Sequence, residues 1–273
     1  MSHLIDSTQL LAQMQRDDVL VLDCRYDLAD RESGRKRYAQ GHIPGSLYIS
    51  LDDDCCAALS EHGGRHPLPT IEEMAGLFSR IGIERGKTQV VCLDDEASCY
   101  AAHVWWMLRY LGHDEVCILD GGFAAWVRTG GAIVSTASEC HPREFSPLPR
   151  PFMLASRDDV LDGTSALLVD CRAPERFRGE QETIDPEAGH IPGAYNVPWR
   201  DLLTEDGRFR RPSELADALT GLDERATVYC GSGVTACVNI FAAAVAGLGM
   251  PRLYAGGWSD WITWPGHQVG LGG

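Results

Sequence analysis

Cys230 lies between a strand-like run and a helix-like run, with a glycine-rich loop joining them. Upstream, Ala226-Thr227-Val228-Tyr229 is apolar and β-branched, the signature of a buried strand. Downstream, the apolar, alanine-rich stretch from Ala236 to Leu248 predicts a helix. Gly231, Ser232, Gly233, Val234 and Thr235 form the link. A cysteine so placed meets main-chain N–H groups and the positive end of a helix dipole, which together stabilise a thiolate, the form of cysteine that attacks. A free thiol is only a few per cent ionised near neutral pH. Making one mostly thiolate takes about 2.7 kcal/mol of differential stabilisation and yields roughly 25-fold more reactive form. A ring of amides and a helix terminus can supply that much. Gly231 and Gly233 allow the backbone to curl, and the hydroxyls of Ser232 and Thr235 add donors. The chemistry expected is covalent catalysis by a cysteine nucleophile. A phosphate-ester reaction at such a loop needs an arginine six positions on to clamp the phosphate, and Ala236 stands there.

The elements that must hold this loop occur twice. Asp23-Cys24-Arg25 returns as Asp170-Cys171-Arg172, a separation of 147 residues. Gly41-His42-Ile43-Pro44-Gly45 returns as Gly189-His190-Ile191-Pro192-Gly193, and Gly121-Gly122-Phe123-Ala124-Ala125-Trp126 as Gly256-Gly257-Trp258-Ser259-Asp260-Trp261. Three blocks in one order at nearly constant spacing imply two homologous domains. The boundaries expected are residues 1–131 and 155–273, joined by a proline-rich strap over 132–154. In the first half, Ser7 is expected to cap a helix through Gln15. Strands are expected at Val19–Leu22, Gln89–Leu93 and Val116–Leu119, and helices at Thr70–Ile81, Tyr100–Leu111 and from Gly121-Gly122 to about Arg128. This alternation is an α/β pattern, a parallel sheet flanked by helices in each domain, with ligand sites beyond the carboxyl ends of the strands.

Composition narrows the function. A net charge of −15 excludes nucleic acid and an anionic membrane surface as expected partners. No apolar stretch is long enough for a membrane span, and the opening residues lack the layout of a signal peptide, so a soluble cytoplasmic protein is expected. None of the ten cysteines forms a C-x-x-C pair, which removes the usual zinc and dithiol signatures. Nine of them read as buried thiols in a reducing compartment.

With these motifs the chain resembles the rhodanese-like sulfurtransferases, most closely the tandem-domain group that includes thiosulfate and 3-mercaptopyruvate sulfurtransferases. The resemblance spans nearly the whole chain and implies two rhodanese-like domains, the second catalytic and the first inactive but lining the cleft. In the first domain the corresponding run is Cys92-Leu93-Asp94-Asp95-Glu96-Ala97-Ser98, with Asp94 at the nucleophile's position. The implied reaction forms a persulfide on Cys230, which a small thiol, cyanide or a reduced thioredoxin-like protein then discharges; no metal or organic cofactor is implied. The neutral loop favours 3-mercaptopyruvate over thiosulfate, the alternative donor. Arg176 matches the family's arginine-bearing segment and would hold the donor's carboxylate. A second arginine, usual in mercaptopyruvate enzymes some nine residues on, is missing from the acidic run Glu180 to Glu187; Arg200 or Arg208 could replace it. The family also places a histidine matching His42 near the substrate, where it could shuttle a proton with Ser232. His66, in Gly64-Arg65-His66-Pro67-Leu68-Pro69, could also line the cleft, although a loop role is the plainer reading. A persulfide carrier or redox sensor that docks a partner is the non-enzymatic alternative.

Overall fold

Two separate parallel sheets carry the chain in the computed structural model, which describes residues 3–95, 98–163 and 165–273. Two compact units contain them. The first comprises Met1–Cys56, Pro69–Arg150 and Glu205–Phe209; the second comprises Ala57–Leu68, Pro151–Thr204 and Arg210–Gly273.

In the first unit the strands are β1 (Leu4–Ile5), β2 (Val19–Asp23), β3 (Leu47–Tyr48), β4 (Gln89–Leu93) and β5 (Val116–Leu119). They pair in parallel in the order β1-β5-β4-β2-β3, so β4 is central. Its last four residues are buried, as a strand covered on both faces requires. The helix Ile71–Arg80 begins at Thr70, whose side chain forms a capping box with Glu73. The first helix, Ser7–Gln13, is capped one residue earlier than the sequence suggested. Asp6 accepts from the Gln9 amide at 2.8 Å, and the Gln9 side chain returns to the Asp6 N–H. The carboxylate one position upstream makes the capping box, which leaves Ser7 as the first helical residue. The strap runs along this unit: His42 N donates to Val134 O at 2.9 Å and Arg143 N to Ser79 O at 3.0 Å.

The second unit repeats the frame with β6 (Leu168–Asp170), β7 (Tyr195–Asn196), β8 (Thr227–Tyr229) and β9 (Arg252–Leu253), in the order β7-β6-β8-β9. The place β1 holds beside β5 is reduced to a single parallel bridge, Leu154 to Leu253. The helix Ala236–Ala246 follows β8; eight of its residues are buried, consistent with an alanine-rich sequence apolar on every side.

The three repeated motifs recur together because they touch. In the second unit Arg172 grips Asp170 with Nη2 to Oδ2 at 2.6 Å, donates to Gly189 O at 2.6 Å and lies 5.0 Å over the Trp258 ring. In the first unit Arg25 does the same with Asp23 (2.8 Å), Gly41 O (2.8 Å) and Phe123 (4.0 Å). One guanidinium thus ties the end of a strand to the Gly-His-Ile-Pro-Gly turn and to the Gly-Gly-aromatic turn. Both ion pairs are buried, and breaking a pair of this kind from one side costs about 3–5 kcal/mol.

Candidate active site

Cys230 follows β8 directly, and its backbone is held from two sides. Cys171 N donates to Tyr229 O at 2.8 Å, prolonging the ladder between β6 and β8, and Trp258 N donates to Cys230 O at 2.8 Å. Ser259 N then takes Gly231 O at 2.8 Å. With those carbonyls engaged, the chain curls into the helix through Gly233, whose φ is +78°. A Cβ at Gly233 would stand 2.2 Å from Ala255 O, so both conformation and space demand glycine. Among the described residues, the amides of Gly231, Ser232, Gly233, Val234 and Thr235 donate to no protein acceptor. Five consecutive free N–H groups before the N-terminus of an eleven-residue helix make an anion cradle.

The first unit holds a carboxyl group in the same frame. Phe123 N donates to Asp94 O at 2.8 Å, the counterpart of the Trp258–Cys230 bond, and Cys24 N donates to Leu93 O at 2.7 Å, the counterpart of the Cys171–Tyr229 bond. The Asp94 carboxylate accepts from the amides of Ser98 (2.8 Å), Tyr100 (2.9 Å) and Ala101 (3.2 Å). Burial outweighs these amides and pushes the Asp94 carboxyl up to about 7. Cys92 is a buried strand residue; Glu96 and Ala97 lie outside the described residues.

Around Cys230, itself 2% exposed, the second unit gathers a set of polar side chains. Ser232 Oγ is 2.7 Å from His66 Nδ1, and both residues are buried. The segment carrying His66 docks on the turn after β9: Gly63 N donates to Asp260 Oδ1 at 2.7 Å and Arg65 N to Ser259 Oγ at 3.1 Å. A Cβ on Gly64, whose φ is +77°, would meet Gly256 O at 2.4 Å, so only glycine lets this segment approach so closely. Arg65 and Arg176 converge beside the loop. Their Nη2 atoms lie 2.8 and 3.6 Å from the point where a Gly231 Cβ would stand, with Asp185 Oδ2 at 3.6 Å.

Arg176 therefore reaches the loop, but it is not a bare cation. Its Nε donates to Glu182 at 2.9 Å and its Nη2 to Asp185 at 2.9 Å. Asp185 also pairs with Arg65 Nη1, and Glu182 lies 3.4 Å from Arg172 Nη1. Glu182 fixes the bend of its own segment by accepting from the Ile184 and Asp185 amides. Of the two substitute arginines, Arg200 packs over Trp199, and Arg208 pairs with Asp206 in the first unit.

His42 is fastened within its own unit. It is 1% exposed, its ring is stacked 3.9 Å from Tyr38, and its nitrogens lie 2.7 Å from Tyr38 O and 3.2 Å from Thr136 O. His190 repeats this arrangement on Phe177, with ring centroids 3.8 Å apart and Nδ1 2.8 Å from Phe177 O. Both histidines fasten their turns, and the His42 ring has no nitrogen left for a substrate. The histidine that meets Ser232 is His66. Its sequence signal was the glycine pair before Arg65-His66-Pro67, a mark of close backbone approach. Arg65, Glu182 and Asp185 had no signal of their own. Cys237, the second residue of the helix, is buried with Sγ 3.4 Å from Gly233 O, and burial pushes its thiol well up, as it does for Cys171.

The model of the rhodanese-like domain matches this chain twice, over residues 6–129 and 156–263. A probable 3-mercaptopyruvate sulfurtransferase of Pseudomonas aeruginosa is 42% identical, with 99% of each chain covered. A putative thiosulfate sulfurtransferase of Mycobacterium tuberculosis is 38% identical over 98% of this chain and 97% of its own. Among solved structures, a 3-mercaptopyruvate sulfotransferase of Escherichia coli superposes with a TM-score of 0.82 at 30% identity, covering 95% of this chain and all of its own.

Proposed function

The chain belongs to the rhodanese-like family and is a sulfurtransferase, and from that premise we propose that Cys230 carries the sulfur, taking it from 3-mercaptopyruvate in preference to thiosulfate. The observation that bears most weight is the equivalence of Cys230 and Asp94. The same frame that wraps three amides around a carboxylate in the first unit leaves the loop amides that follow the cysteine without a protein acceptor in the second. A site that accommodates an anion of fixed position suits a thiolate and the persulfide it becomes.

In the first half-reaction the Cys230 thiolate attacks the sulfur of 3-mercaptopyruvate. The S–S bond forms, the C–S bond breaks, and the electron pair leaves on the enolate of pyruvate. A proton must then reach that carbon, and the hydrogen-bonded pair Ser232 and His66 is suited to move it, in the role the sequence had suggested for His42. In the second half-reaction cyanide, a small thiolate or a thioredoxin-like protein thiol attacks the outer sulfur, and Cys230 departs as thiolate. Arg65 and Arg176 supply the cations for the donor's carboxylate.

Steady-state rates with the two donors test this reading. A higher kcat/KM with 3-mercaptopyruvate supports it, and a clear preference for thiosulfate replaces it with the thiosulfate alternative. Ser232→Ala is expected to lower kcat with 3-mercaptopyruvate by about 100-fold while leaving thiosulfate, whose sulfite leaving group needs no proton on carbon, within a few-fold. Equal losses with both donors would remove the proton-transfer role.

A further inference from the structure

Asp185 is a buried carboxylate beside the nucleophile's loop, and neither half-reaction above gives it a step. Its side chain is 1% exposed and bridges two guanidinium groups, Arg65 and Arg176, whose side chains are 29% and 17% exposed. All three groups stand within 4 Å of the Gly231 Cβ position. With Glu182 also accepting from Arg176, the two cations are matched by two carboxylates. A mouth built only to draw in anionic donors would leave those arginines free.

Resting on the reading of Cys230 as the sulfur acceptor, we propose that Asp185 is a specificity-determining residue. It turns the site against dianionic sulfur donors and toward donors whose carboxylate has an ammonium beside it, the head group of an α-amino acid. Each Asp185 oxygen accepts one arginine bond, and a carboxylate oxygen has a second lone pair to give, so the group can still accept from an ammonium. The two guanidinium forks next to it suit the donor's carboxylate, and among the described residues Arg65 Nε is a buried donor without an acceptor. A cysteine hydropersulfide would use these groups as follows. The Cys230 thiolate attacks the outer sulfur, the new S–S bond forms as the old one breaks, and cysteine leaves as a thiolate that takes up the persulfide's proton. No oxidant or reductant is consumed.

The test ranks three donors by charge: thiosulfate, 3-mercaptopyruvate and cysteine hydropersulfide. The readout is the second-order rate constant for single-turnover gain of one sulfur by Cys230, followed by intact mass in the full-length wild type, Asp185→Asn and Asp185→Glu. Removing one negative charge at this range changes the rate by about tenfold per unit of donor charge. Asp185→Asn is therefore expected to raise the constant about 100-fold for thiosulfate and about tenfold for 3-mercaptopyruvate, and to lower it for cysteine hydropersulfide. Asp185→Glu is expected to keep the wild-type order. A common factor for all three donors would overturn the proposal and leave Asp185 a purely structural group. No sulfur on wild-type Cys230 from any donor would instead overturn the sulfur-carrier reading itself.

Discussion

Two histidines of one type have two fates here, and their neighbours decide which. His42 is stacked on Tyr38 with both nitrogens at main-chain carbonyls, so it holds a turn; His66 is 2.7 Å from the hydroxyl of a loop serine, so it can exchange a proton with it. His66→Gln, which keeps a hydrogen-bonding side chain but removes the titratable ring, is expected to flatten the pH dependence of kcat with 3-mercaptopyruvate and to lower kcat by about 100-fold. An unchanged pH profile would assign the histidine to loop support alone. The strand, the glycine loop and the helix around Cys230 were legible in the sequence because their signals are all local. Which histidine meets the loop, and which carboxylates temper Arg176, depends on segments far apart in the chain, such as residue 66 beside 232 and 65 beside 185. No local pattern encodes those meetings.

At the scale of elements, the loop after β8 depends on the turn after β9 lying directly beneath it. The Cys230 and Gly231 carbonyls are taken by the Trp258 and Ser259 amides, and Gly233 passes Ala255 O with no room for a side chain. Gly233→Ala must both adopt a left-handed φ and clear a carbonyl 2.2 Å away. It is expected to destabilise the protein by about 1–3 kcal/mol and to reduce sulfur uptake by Cys230 far more than a surface substitution of equal cost. Uptake at the wild-type rate would mean that the curl of the loop does not matter. Most of these elements were legible: Gln89–Leu93 and Val116–Leu119 follow from buried β-branched runs, and Ile71–Arg80 from its amphipathic periodicity. The short strands β3, β7 and β9, two residues each, were not, because so few residues carry no period; their pairing fixes them instead.

Across the whole molecule, one frame appears twice and its anion cradle is filled in two ways. In the first unit a carboxylate of the chain occupies it permanently, which carries a pH signature. Burial raises the Asp94 carboxyl to about 7, against 3.8 in its unperturbed state. Because the folded value is the higher one, the stabilising contribution is complete below about pH 4 and is lost as pH rises through about 7. Between pH 5 and 7 the wild type is therefore expected to lose stability by an amount on the order of 2 kcal/mol, seen as a falling Tm, and Asp94→Asn to show a flatter slope. Equal slopes would mean that the Asp94 proton is not linked to folding. In the second unit the loop amides after Cys230 have no protein acceptor, and the proposal that they serve a reacting sulfur is tested most directly by intact mass after a brief exposure to 3-mercaptopyruvate. The wild type is expected to gain one sulfur atom, released again by cyanide, and Cys230→Ser to gain none. A sulfur adduct of equal yield in Cys230→Ser would contradict the assignment of Cys230 as the carrier.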